Sequence, residues 1–116
     1  MALGAAEAVS ALTDHGVDIR VMDGKIGEAS ALKMSYAGIT KGLTALGSMM
    51  MLASTRGGVA EELRYQLERS HPYFVANFQR AVPDMYSKAY RFIGEMEEIA
   101  DFVGEDKSAK QMYLAF

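Results

Sequence analysis

The stretch "DGKIGEASALKMSYAGITKG", Asp23 to Gly42, opens on spaced glycines and continues into a segment rich in Gly, Ala, Ser and Thr that carries Lys33 and Lys41 in its middle. From Ile26 to about Thr55 only single glycines interrupt a helical run, and Gly57-Gly58 stops it. At about 100° per residue, Leu32, Ser35, Ile39, Gly42, Leu46, Met49 and Ala53 share one face, which is expected to pack. Lys33, Tyr36, Thr40 and Thr44 share the opposite face. Gly38 and Gly42 are expected on the packed side, where missing side chains let another backbone come close.

Two interpretations of Lys33 stand side by side. Its neighbours Ala29, Ser30, Ala37 and Gly38 are small, so a ligand could reach the ammonium group, and Tyr36 and Thr40 add hydroxyls to the same face. A lysine crowded by a substrate sheds hydration water, the setting in which an amine takes part in proton transfer. Alternatively, Lys33 snorkels from a packed helix to water. Spacing alone leaves both open.

Upstream, "GAAEAVSALTDHG" has the pattern of a short amphipathic helix closed by Gly16. "VDIRVMDG" then alternates Val17, Ile19 and Val21 with Asp18, Arg20 and Met22, the pattern of a strand. A lone strand cannot make a sheet, so it is expected to pair with another chain or to end a sheet whose other strands lie upstream. Downstream, Val59–Ser70 and His71–Val82 are expected helices, the second with Pro72 in its first turn. Pro83 is expected to open a further helix reaching Gly104, and Ser108–Phe116 closes the chain as an amphipathic segment.

The 116 residues suffice for one domain with a core and are too few for two full ones. A net charge of −3 argues against a nucleic-acid surface, which needs clustered positive charge. The chain has no cysteine, which excludes disulfides, thiol catalysis and thiolate zinc sites. Met49–Ala53 is the longest apolar run, far short of a membrane span, and Met1–Ser10 lacks the basic start of a signal peptide. These features lead to an expected cytoplasmic location.

Other constellations are weak. No G-x-G-x-x-G or P-loop pattern occurs, so no phosphate cradle is encoded. His15 and His71 stand far apart without metal-ligand spacing, and no metal is expected. Glu95, Glu98 and Asp101 make a carboxylate ridge, expected to be solvated with Arg91 beside Glu95; a second reading has these carboxylates ordering basic residues around a binding site. Tyr73, Phe74, Phe78, Tyr86, Tyr90 and Phe92 are expected in core and interface.

Gly24-x-x-Gly27-x-Ala29-x-x-x-Lys33 resembles the segment G-x-x-G-x-G-x-x-x-K-x-x-x-N of the β-hydroxyacid dehydrogenase superfamily, which includes 6-phosphogluconate and 3-hydroxyisobutyrate dehydrogenases. "ASALKMSYAGITKG" with "KAYRFIGEMEEIADF" is similar to a branch of NAD(P)-dependent oxidoreductases with a phosphogluconate-dehydrogenase-like C-terminal domain. The resemblance spans nearly the whole chain. It implies a mainly α fold, an all-helical 6-phosphogluconate dehydrogenase C-terminal-like domain with a long central helix over residues 26–116. Residues 1–25 would then be the helix and strand that end a Rossmann domain.

By the same resemblance Lys33 would be the general acid/base of hydride transfer to NAD or NADP. Tyr36, Thr40 and Lys41 are candidate substrate contacts, and Gly24 and Gly27 the residues nearest the cofactor. Ala29 replaces the third motif glycine, and Ala37 replaces the motif asparagine, so that substrate contact does not carry over. The expected partners are a second copy of the chain, an upstream Rossmann domain and a small-molecule substrate, with neither nucleic acid nor membrane. The isolated chain would not hold a dinucleotide tightly. The alternative is a non-enzymatic helical module that dimerises and has kept the fold without the catalysis.

Overall fold

The computed structural model describes Val9 and residues 11–116. Those residues form five α-helices and no strand: α1 (Glu28–Arg56), α2 (Ala60–Ser70), α3 (Pro72–Tyr86), α4 (Ala89–Phe102) and α5 (Lys107–Ala115). The chain divides into two compact units, one ending at Ser30 and the other comprising Ala31–Phe116.

In the first unit the described part of the expected N-terminal helix is a 3₁₀ turn over Ala11–His15, and most of the remainder lies outside the described residues. Gly16 closes the turn at φ +82°, donating its N–H to the Thr13 carbonyl at 3.2 Å. The strand expected at Val17–Met22 does not form, and with it goes the expected tail of a Rossmann sheet. Alternation supplies two faces but no neighbour for the backbone N–H and C=O groups, and no partner strand exists among the described residues. Val17 and Val21 are accordingly exposed like Asp18 and Arg20.

In α1, six Ser and Thr hydroxyls donate to the helix's own carbonyls; Ser35 to Ala31 at 2.8 Å and Thr44 to Thr40 at 3.0 Å are examples. These local bonds satisfy hydroxyls that would otherwise favour turns. The helix stops where the sequence indicates. Gly58 takes φ +71° and donates to the Thr55 carbonyl at 3.1 Å, while the Val59 N–H reaches the Ser54 carbonyl at 2.9 Å. This pair of bonds is a Schellman cap, and glycine relieves its left-handed position of strain.

The packed face of α1 agrees with the expected one at Gly38 and differs from it elsewhere. Leu32, Ile39, Leu46 and Met49 are exposed, whereas Gly38, Thr44, Gly47 and Ser54 are buried. Small residues let neighbouring side chains approach the helix axis, so they take the interior position and the larger apolar side chains stay outside. Side chains, not a second backbone, fill the glycine notches. The Tyr113 hydroxyl of α5 donates to the Gly38 carbonyl at 3.0 Å, with its ring over Gly38 and Gly42, and Ile99 of α4 closes on Gly38. Further along α1, the Phe78 ring of α3 lies against Gly47.

The most closely paired helices are α4 with α5 and α2 with α3. The enclosed apolar centre lies on α4, where Met96, Ile99 and Ala100 are buried. Helix α5 starts on Asp106, whose carboxylate accepts the Ala109 N–H at 3.1 Å. Pro83 does not open a helix. It lies inside the last turn of α3, where its missing N–H removes a single helical bond, and the break falls at Ser87–Lys88 instead.

Candidate functional site

Within the second unit, a groove of about 420 Å³ lies between α1, α3 and α4. Tyr36, Ile39, Thr40, Leu43 and Thr44 line it from α1 at helical spacing, together with Lys41. Tyr73, Asn77, Arg80, Ala81, Asp84 and Met85 form the facing wall on α3, and Phe92 enters from α4.

Lys41 is the half-buried charge of this groove. Its ammonium group pairs with the Glu95 carboxylate of α4 and lies 5.1 Å from the centre of the Phe92 ring. Pairing and the ring face offset the water that Lys41 loses. Across the groove the Arg80 guanidinium donates to the Asn77 side-chain oxygen at 3.2 Å. One turn on, Asp84 accepts from Lys88 at 2.7 Å, and that bond together with the Lys88 charge holds the Asp84 carboxyl below its ordinary range. The hydroxyls of Thr40 and Thr44 donate to the carbonyls of Tyr36 and Thr40, so toward the groove they offer oxygen lone pairs.

The structure therefore brings Tyr36, Thr40 and Lys41 to one wall. Lys33 is exposed on the same helix, on the face of Tyr36 and Thr40, and it lines neither this groove nor the apolar cleft described next. Gly24 and Gly27 fall in the other unit. Gly27 adopts φ +98° just before α1, and a side chain on Gly24 would meet the Glu28 carboxylate.

The second cavity, of about 480 Å³, is an apolar cleft between the C-terminal end of α1, α2 and α3, lined by Met51, Leu63, Leu67, Val75, Phe78 and Val82. Among the described residues no group of three His, Asp or Glu side chains could hold a metal ion, and no helix is long and apolar enough to cross a membrane.

The groove contains residues that sequence patterns did not single out. Asn77 and Arg80 lie one helical turn apart on α3, and with Tyr73 and Asp84 they recur at i, i+4, i+7 and i+11. That polar periodicity was the available signal. Glu95 was expected to pair with Arg91 and instead pairs with Lys41, while Arg91 lies beside the Tyr90 ring. The carboxylate ridge is thus not simply solvated: Glu95 orders a basic residue beside the groove, and Asp101 meets Lys110 at 3.5 Å. Of the aromatic residues, Phe74 and Phe78 stack and pack inward, while Tyr73, Tyr86 and Tyr90 are exposed rather than core.

Residues 55–116 match the family described as "Domain of unknown function (DUF1932)". The match covers more than half of the chain, and the chain belongs to that family. DUF1932 is a C-terminal domain found in dehydrogenases similar to 6-phosphogluconate dehydrogenase. The match starts in the last turn of α1. Asn77, Arg80 and Glu95 lie inside it, and Lys33, Tyr36, Thr40 and Lys41 lie before it. No curated protein and no solved structure matches the chain.

Proposed function

We propose that this DUF1932 chain is the C-terminal substrate-binding and dimerisation part of an NAD(P)-dependent dehydrogenase acting on a hydroxy acid or a related alcohol. The observation that carries the reading is the placement of Lys33. It stands exposed on α1, on the same face as Tyr36 and Thr40, with the groove starting one turn along the helix, roughly 5 Å on at 1.5 Å per residue. A substrate lying in the groove would extend its reacting end toward the Lys33 Nζ. There the lysine would take the hydroxyl proton as the alcohol is oxidised and return it in the reverse direction.

The nicotinamide cofactor belongs, in this reading, to a preceding dinucleotide-binding domain. A pyrophosphate cradle needs unobstructed backbone N–H groups at a helix start. At the start of α1 the Glu28 N–H donates to the Lys25 carbonyl at 3.2 Å, and the Glu28 carboxylate lies over Gly24. A carboxylate there would repel a phosphate, so these residues fit the cofactor poorly.

The partner is a second copy of the chain. Leu32, Ile39 and Leu46 repeat every seven residues along the exposed side of α1, with Met50 beside them. Such a seam is buried when two helices pair. A two-fold dimer is the simplest closed assembly that covers it.

The test is turnover of the full-length enzyme with a panel of hydroxy acids and either NAD or NADP. Lys33→Ala should lower kcat by about 10²–10⁴-fold with the melting temperature unchanged, and Lys41→Ala should do less. Wild-type turnover in Lys33→Ala would return Lys33 to a snorkelling role. Absence of any dehydrogenase activity in the full-length protein would leave the non-enzymatic dimerisation module.

A further inference from the structure

The groove is chemically two-sided. On the α1 wall, Thr40 and Thr44 have committed their hydrogens to backbone carbonyls and present acceptor oxygens. The α3 wall supplies the donors. Arg80 has five N–H groups, and Asn77 Oδ1 is its hydrogen-bond acceptor among the described residues. The Asn77 amide keeps its own N–H₂ for a ligand. Leu43 on the α1 wall and Phe92 from α4 supply apolar lining.

The charges separate in the same way. Lys41 is held by Glu95, and Asp84 is held by Lys88. Arg80 is therefore the groove cation whose charge is not matched by a bonded carboxylate among the described residues. Asp84, one turn away, is attracted by the Arg80 charge and opposes an incoming anion, and the Lys88 ammonium bonded to it offsets part of its charge.

We propose that the groove binds an organic anion. Its oxyanion head, carboxylate or phosphate, is held by the Arg80 guanidinium and the Asn77 amide, and its apolar body lies over Leu43 and Phe92. A planar guanidinium holds two oxygens of either head at once. The volume of about 420 Å³ falls in the range of small-molecule sites, roughly 300–1,000 Å³. The apolar lining is what distinguishes an organic anion from a bare inorganic one. The proposal holds whether or not Lys33 moves a proton, because it concerns binding alone.

The test is a set of ¹H–¹⁵N NMR titrations of the full chain with 3-phenylpropionate, phenyl phosphate, 3-phenylpropan-1-ol and inorganic phosphate. Saturable shifts at the Asn77 and Arg80 side chains and at the Leu43 and Phe92 amides are expected with the two aryl anions. Whichever binds tighter identifies the head. The alcohol and inorganic phosphate should bind at least about tenfold more weakly, since each lacks one half of the recognition. Arg80→Gln should weaken the preferred anion by about tenfold or more, and Arg80→Lys should retain part of the affinity. If Arg80→Gln fails to fold, Asn77→Asp reads the same contact by repelling the head. The proposal is overturned by no saturable shift with either aryl anion, by equal binding of the alcohol or of inorganic phosphate, or by affinity that survives both Arg80→Gln and Asn77→Asp.

Discussion

Gly47 of α1 and Phe78 of α3 fit so closely that a methyl carbon on Gly47 would come within 2.5 Å of the Phe78 ring. Alanine at a mid-helix glycine ordinarily stabilises by about 0.8–1.0 kcal/mol. Here that gain competes with overpacking, which costs about 1–3 kcal/mol. The Phe78 ring borders the neighbouring apolar cleft and stacks with Phe74, so a shift that admits the methyl disturbs that packing. We therefore expect Gly47→Ala to destabilise by about 1 kcal/mol, and Gly47→Ala with Phe78→Leu to recover part of the loss in urea melts. A stabilised single variant would show that the contact is loose.

Gly94 provides the opposite case. It is exposed within α4, and nothing lies within 4 Å of where its side chain would project. Gly94→Ala should stabilise by about 0.5–1 kcal/mol through helix propensity alone. A destabilised Gly94→Ala protein would mean that this face meets a partner in solution.

The glycines of the long helix show how far sequence alone reaches. The helix itself was legible, because 3.6-residue periodicity and the Gly57-Gly58 stop depend on local physics. Which face packs was legible only at Gly38, expected on the packed side and buried there; Thr44 and Gly47 were not expected on it. Gly38, Thr44 and Gly47 carry too little apolar area to outweigh Leu32, Ile39 and Leu46 in any hydrophobic pattern, yet close approach favours the small residues. Pattern reading assigned the large side chains to the interior when they form the outer seam. The groove was half legible for a similar reason. Tyr36, Thr40 and Lys41 share one helix, whereas Arg80 and Glu95 reach it from helices that only tertiary packing brings together.

The exposed seam yields a test of assembly. Leu32→Glu or Leu46→Glu should convert a dimer to a monomer in light scattering while leaving helical circular dichroism in place, since both side chains are already exposed in a single chain. A wild-type chain that stays monomeric from micromolar to hundred-micromolar concentration would remove the dimer.

Lys41 and Glu95 should be energetically coupled, but modestly. Their side chains retain 22% and 43% exposure, so solvent screens much of the attraction. A double-mutant cycle with Lys41→Met and Glu95→Gln should give about 0.5–1 kcal/mol at low salt, shrinking in 1 M NaCl. Coupling that is insensitive to salt would indicate a drier pair than this geometry allows.

Asp84 has a defined pH signature. Its bond to Lys88, and then the Lys88 charge, depress the folded-state pKa. A depressed carboxylate contributes stability that is fully present above its unfolded pKa and fades as pH falls through the folded value. The pH dependence is therefore confined to acid solution, as pH falls below the ordinary aspartate value of 3.8, and across the neutral range the contribution is constant. In an NMR titration the Asp84 carboxyl should titrate below that value in wild type and return toward it in Lys88→Met. An unchanged midpoint in the variant would break the assignment.

The pairing of α4 with α5 and of α2 with α3, each pair meeting α1 at different glycines, bears on how the molecule opens. Tyr113 and Ile99 engage α1 at Gly38, and Phe78 engages it at Gly47, so the two attachments share no residue. Amide hydrogen exchange should therefore resolve two cooperative blocks rather than one. Loosening Tyr113 would accelerate exchange in α5 and in the first half of α1, while α2 and α3 kept their protection. The long helix would act as a common rail from which either pair can detach while the other stays folded.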